Sequence, residues 1–213
     1  MADIETSQRL EAKRQAVIQS ISAEVRMRMK DLPPCHDWWH IQRVRKLGAH
    51  IARIERADPY IVDLTLLLHD VDDHKFNGGV DSGAMTARDI MDRHQVRSSM
   101  VELAVCEIIS TMSFKDGKGP PMRTLEGRVV QDADRLDAIG AIGIARAFTT
   151  GAHMKRPLYS PLSEPHTVDH FHEKLLLLKK RMNTDEAKRI AKRRHSMLAR
   201  FLYEFRKEWD LEV

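Results

Sequence analysis

His69 and Asp70 stand side by side at the end of a greasy run, Leu66-Leu67-Leu68-His69-Asp70-Val71-Asp72-Asp73-His74-Lys75. A bare His-Asp pair means little, because an aspartate can simply cap a helix or pair with a cation. This pair gains weight from a histidine upstream, in His36-Asp37-Trp38-Trp39-His40-Ile41-Gln42-Arg43-Val44, and a carboxylate cluster downstream, in Asp132-Ala133-Asp134-Arg135-Leu136-Asp137. Read together they form the pattern H…HD…D, a ligand set for a divalent metal drawn from three separate segments. Such an ion brings the pKa of its bound water from about 15.7 toward about 7, which makes hydroxide available at neutral pH.

Helices must carry these donors. Apolar residues recur at helical spacing nearly everywhere, and strand-like alternation is scarce, so the fold is expected to be all-α. A first helix is predicted from Ile4 to Lys30 with Leu10, Val17, Ile21 and Val25 on one side, ended by Asp31-Leu32-Pro33-Pro34. A second starts near Asp37 and places His40 on the same stripe as Val44, Leu47, Ile51 and Ile54, so His40 should point inward. Asp58-Pro59 opens a third that runs into His69-Asp70. Adjacent helical residues diverge by about 100°, so His69 and Asp70 can share one ion only if it lies between their directions near the helix surface.

Asn77-Gly78-Gly79 and Lys115-Asp116-Gly117-Lys118-Gly119-Pro120-Pro121 read as loops, with helices expected at about 82–94 and 98–111 between them. A carboxylate-bearing helix is predicted from Val129, with Val130, Asp134, Asp137, Ala141 and Ile144 on one stripe. Two acidic side chains on a face that should be apolar lose hydration and repel unless a cation or donors compensate. Gly151 to Pro165 reads as a long irregular connection, a lid in prospect. Two last helices follow, about Asp169 to Met182 and Asp185 to Trp209, joined at Asn183-Thr184, which suits an N-cap.

At 213 residues the chain is long enough for one sizeable domain. Its two cysteines, Cys35 and Cys106, form no metal-type spacing or disulfide framework and suit a reducing interior. With no secretory-type start and no apolar run approaching the roughly 20 residues of a membrane span, a cytoplasmic protein is the simplest expectation. The net charge of +4 suits anionic small molecules as easily as nucleic acid. The basic residues of the last helix, Lys188, Arg189, Lys192, Arg193, Arg194 and Arg200, read as the solvated side of an amphipathic helix, so nucleic-acid binding is not expected.

The chain resembles the HD-domain metal-dependent phosphohydrolase superfamily, in particular its small bacterial branch with a His-Asp-Trp-Trp-His start. The resemblance runs through His36–Val44, Leu66–Phe76, Ser113–Lys115, Val129–Arg146 and His170-Phe171-His172-Glu173-Lys174-Leu175. It implies a single all-α HD domain over residues 1–213, a helical bundle with its metal-site core at about 36–150 and C-terminal helices at about 169–209 packing on it. It implies His40, His69, Asp70 and Asp134 as metal ligands, with His36 beside the site or facing solvent and Asp132 and Asp137 as supports. Binuclear members add two histidines between the HD pair and the last aspartate. Here Ser110 stands where one is expected, and His94 is the sole histidine between His74 and His153, so one divalent ion is the expectation. Manganese is favoured, and iron, cobalt, nickel, zinc or magnesium are the alternatives.

Asp73, one turn beyond the pair, is expected to move or orient a proton, and its other reading is a solvated aspartate in an acidic run. Lys75 is expected to hold phosphate close to the reaction, with Arg43 and Lys115 as further phosphate donors. The activity implied is hydrolysis of small phosphorylated molecules, nucleotides first, by attack of a metal-bound hydroxide on phosphorus, as in nucleoside triphosphate pyrophosphohydrolases. Nucleotide monophosphatase or cyclic-nucleotide phosphodiesterase activity is the enzymatic alternative. A metal- and nucleotide-binding regulatory module without turnover is the alternative from another class.

Overall fold

The computed structural model describes residues 2–30, 37–71, 83–112, 121–162 and 164–211. Among these residues the helical spacing is expressed as α-helix, with one 3₁₀ helix and no strand. The helices are α1 (Ala2–Arg28), α2 (Trp38–Glu55), α3 (Pro59–Leu68), α4 (Gly83–Arg93), α5 (Ser99–Thr111), α6 (Leu125–Asp137), α7 (Gly140–His153), α8 (Asp169–Glu173) and α9 (Asp185–Trp209), with the 3₁₀ helix at Leu175–Arg181. Contacts group α1–α5 and α6 as far as Val130 into one compact unit, and the chain from Gln131 onward into a second. No helix of the described residues is long and apolar enough to cross a membrane.

In the first unit α3 is the central element, packed by α1, α2 and α5. A helix that is apolar all round must be enclosed on every side, and Leu64, Leu66, Leu67 and Leu68 are fully buried. Around them pack Ile21 and Val25 of α1 with Met29 just after it, Ile41 of α2, Ile90 and Met91 of α4 and Val105 of α5. The stripe predicted for α1 holds only in its second half. Leu10 is exposed and Val17 half-buried. With 27 residues α1 is about 40 Å long, whereas the 10 residues of α3 span about 15 Å, so the start of α1 overhangs its partner. On α2, likewise, His40, Val44 and Ile51 are buried while Ile54 is exposed.

Two close approaches fix α2 against α3. A Cβ on Gly48 would stand 2.2 Å from Leu66 Cδ1, so any other residue there would have to displace the Leu66 side chain. Beside it, Arg45 grips Asp63 with two parallel bonds, Nε to Oδ1 at 2.6 Å and an Nη to Oδ2 at 2.8 Å, and donates to Ser22 of α1 through its other Nη.

Helix α6 begins at Leu125, four residues before the predicted Val129. Thr124 Oγ1 accepts from the Gly127 N–H at 3.0 Å, as a capping side chain does, and this starts the helix despite the glycine. The predicted stripe through Ala141 and Ile144 does not exist as one helix. The chain turns after Asp137 and restarts at Gly140, whose φ of +81° lies in the region that glycine adopts readily, and Ala141 is exposed.

In the second unit α7 packs on α9, and the 3₁₀ helix packs on α8 and α9. Phe148 of α7 meets Phe171 of α8 and Phe201 of α9 at 5.7 Å between ring centroids. The single helix predicted from Asp169 to Met182 is instead α8 and the 3₁₀ helix, separated at Lys174, whose φ of −134° is not helical. Three residues per turn bring Leu175 and Leu178 to the same side, and both are buried. The irregular connection expected from Gly151 starts three residues later, because α7 continues through His153, and the described residues from Met154 to Val168 carry no helix. Thr184 caps α9, accepting from the Ala187 N–H, as predicted.

Candidate metal centre

His40 occupies the first turn of α2, and its position is set by the cap. Asp37 lies in the extended region and its Oδ1 accepts from the His40 N–H at 2.8 Å. That fixes the backbone of a residue whose side chain is fully buried, and a buried imidazole must find partners. It finds them at the far end of α3, where Nε2 of His40 lies 3.3 Å from Nε2 of His69 and 3.4 Å from Oδ2 of Asp70.

The difficulty that adjacent helical residues diverge is resolved by the end of α3. The helix stops at Leu68, His69 is its C-cap, and Asp70 lies in the following turn. Leaving the helix lets both side chains bend to one point, with His69 Nε2 at 3.5 Å from Asp70 Oδ1. His69 Nδ1 lies 3.0 Å from the Leu66 carbonyl oxygen. A carbonyl only accepts, so Nδ1 carries a proton there, and Nε2 is the ring nitrogen turned toward His40 and Asp70.

Two nitrogens each about 2.1 Å from one ion, at tetrahedral angles, are about 3.4 Å apart. The observed 3.3 Å between the two Nε2 atoms therefore fits a shared divalent cation. So does the donor chemistry, two imidazoles and a carboxylate, which suits first-row transition ions. The first unit thus carries a possible His/Asp metal site.

The acidic cluster divides into three different environments. Asp132 is fully buried and accepts four bonds: from the Asn183 N–H at 2.8 Å, Asn183 Nδ2 at 2.9 Å, the Thr184 N–H at 2.8 Å and Thr184 Oγ1 at 2.8 Å. Burial pushes its carboxyl up, and those donors oppose the rise. Asp137, also buried, pairs with Arg146 at 2.8 Å. Asp134 lies between them on α6 and is half-buried. Burial lowers the pKa of the neighbouring Arg135, while the charges of Asp132 and Asp134 favour its protonated form.

Sequence reasoning treated Asp132 as a support without seeing its partners. The signal was available in the Asn183-Thr184 dipeptide, whose donors converge on it. Arg43 is half-buried on α2. Ser110 is exposed on α5 and its Oγ donates to the Glu107 carbonyl. His94 is engaged elsewhere, with Nε2 at 2.7 Å from Glu24 and Nδ1 at 2.7 Å from Ser20 Oγ. His36, Asp73, Lys75 and Lys115 lie outside the described residues.

The family model for the HD domain matches residues 38–139, a span that begins two residues before His40 and runs past Asp134. The uncharacterized protein YpgQ of Bacillus subtilis is 41% identical over 177 residues, 81% of this chain and 84% of that protein. The chain belongs to the HD-domain superfamily. Among solved structures, an HD-superfamily hydrolase from Bacillus thuringiensis matches with a TM-score of 0.76 and 37% identity, covering 92% of this chain and 98% of that one. A Lactobacillus plantarum protein matches with a TM-score of 0.81 and 32% identity, over 92% and 98%. YpgQ in complex with ADP matches with a TM-score of 0.79 and 33% identity, over 92% and 96%. The His40–His69–Asp70 convergence is thus found in an HD-superfamily chain with hydrolase neighbours.

Proposed function

We propose that this chain is a metal-dependent phosphohydrolase of nucleotides, cleaving a phosphoanhydride bond in the manner of a nucleoside triphosphate pyrophosphohydrolase. The observation that carries the reading is the convergence of His40, His69 and Asp70 with the His69 proton turned away onto the Leu66 carbonyl. Support for a nucleotide comes from the relative YpgQ, whose structure holds ADP.

In this reading His40, His69, Asp70 and Asp134 hold one divalent ion, manganese first. A divalent ion held there would acidify water for attack on phosphorus and offset phosphate charge. His40 and His69 would supply nitrogen ligands, and Asp70 and Asp134 anionic oxygen ligands that offset the charge of the ion. Asp73 takes or orients the proton of the attacking water, and Lys75, with Arg43 and Lys115, holds phosphate oxygens.

The test is release of phosphate and pyrophosphate from nucleoside mono-, di-, tri- and cyclic phosphates, each with manganese, magnesium, cobalt and zinc. Pyrophosphate release from a triphosphate is expected. Asp70→Ala should lower kcat by more than about a hundredfold, since even the partners of metal ligands contribute about 10- to 100-fold. Turnover that survives both chelation and Asp70→Ala would remove the reading, and nucleotide binding with no turnover under any metal would favour a regulatory module.

A further inference from the structure

A cleft of mixed polar and apolar lining lies within the first unit, and His40, His69 and Asp70 are not among the residues that line it. It has a volume of about 410 Å³ and is walled by α1, α2 and α3. Helical spacing builds it. On α2, Gln42 and Lys46 are one turn apart and share a face. On α1, Arg14 faces them across the cleft, and α3 contributes Tyr60 and Asp63. The volume falls in the lower part of the range of small-molecule sites.

The charged groups of the wall are not equivalent. Both Asp63 oxygens are taken by Arg45, at 2.6 and 2.8 Å, so that carboxylate offers the cleft little acceptor capacity. Glu11 is exposed on α1. On the donor side, the Arg14 guanidinium lies 4.8 Å from the Tyr60 ring centroid, held over the ring face, and Lys46 is exposed on α2. The most telling group is Gln42. Its Nε2 is buried and has no hydrogen-bond partner among the described residues. A buried amide donor left unmade is a cost that folding removes wherever it can, and nothing among the described residues removes it here. A rotation of the Gln42 side chain toward the cleft that it lines would let an oxygen-rich anion there accept from it.

We propose that this cleft is a second ligand site that binds a small phosphate-bearing molecule, with Arg14 and Lys46 as cationic donors and the Gln42 amide as the buried donor. Burial raises the Tyr60 phenol pKa, so its hydroxyl stays neutral beside such an anion. The cleft is walled by α2 and α3, the helices that deliver His40 and His69, so its occupant would brace the two against each other.

The test is an amide chemical-shift titration of the full chain in EDTA at constant ionic strength, using sodium phosphate and adenosine monophosphate as probes. Saturable shifts clustered around Arg14, Gln42, Lys46 and Tyr60 are expected with either probe. Lys46→Ala, on an exposed position, and Gln42→Leu, which removes the orphan donor while keeping its bulk, should each raise the probe Kd by about tenfold. Asp70→Ala should leave these shifts intact, which separates this site from the metal centre. The proposal is overturned if sodium chloride gives the same shifts, if the shifts fall only near His40 and His69, or if Lys46→Ala leaves Kd unchanged.

Discussion

At His69 one ring does two jobs with two nitrogens, because the carbonyl of Leu66 settles which nitrogen holds the proton. Glu24 shows a similar economy at the other end of the core. Its carboxylate accepts from Arg28 at 3.0 Å, Arg93 at 2.6 Å and His94 at 2.7 Å. Burial alone would raise its pKa, but these three donors outweigh it and hold the carboxyl at about 2, below its ordinary 4.5. A carboxyl depressed by folding stabilises the native state above its unfolded pKa, and that stability is lost as pH falls toward the folded value. Glu24→Gln is therefore expected to lower the thermal midpoint at pH 7, with the gap from wild type closing between about pH 5 and pH 2. A gap that persists at low pH would mean that the three donors contribute through packing alone. His94 was legible only as a histidine between two motifs. Its partner lies 70 residues away, and no local pattern carries that distance.

Among the elements, α2 and α3 matter most, since their separation sets the spacing of His40 and His69. Their existence and their caps were readable from Asp37, from Asp58-Pro59 and from the apolar spacing. The intimacy of their contact was not, because Gly48 reads in sequence only as a weak point in a helix. The structure shows it as the place where Leu66 enters. Gly48→Val should destabilise the protein by about 1–3 kcal/mol through overpacking. Urea unfolding would measure this, and a neutral result would show that α2 and α3 can move apart. The C-terminal helices teach the complementary lesson. An apolar run such as Leu175-Leu176-Leu177-Leu178 cannot announce whether it will coil with three residues per turn or 3.6, and tertiary packing on α8 and α9 decides. Likewise no residue pattern marks the turn after Asp137, because the acidic stripe continues in register past the point where the chain leaves α6.

For the whole chain, the all-α class and the HD-domain membership were legible from the residues. What the sequence left open is how acidic neighbours differ, because Asp132, Asp134 and Asp137 are alike on paper and are distinguished by Asn183, Thr184 and Arg146. If the metal centre is as proposed, binding an ion only in the folded state stabilises the entire molecule. Manganese at about 100 times its Kd should add about 2.7 kcal/mol, which raises the thermal midpoint of a domain this size by about 5–10 °C. Differential scanning fluorimetry of chelated and reloaded protein would show it, and no shift for any divalent ion would count against the site. The bond from His69 to the Leu66 carbonyl carries one more consequence. It makes the last turn of α3 and the readiness of the proposed ligand nitrogen a single event, so each time that turn frays the ring is released to swap tautomers. Deuterium uptake at the amides of that turn would then run as a clock on the ligand, slowing when an ion occupies the centre and quickening when it leaves.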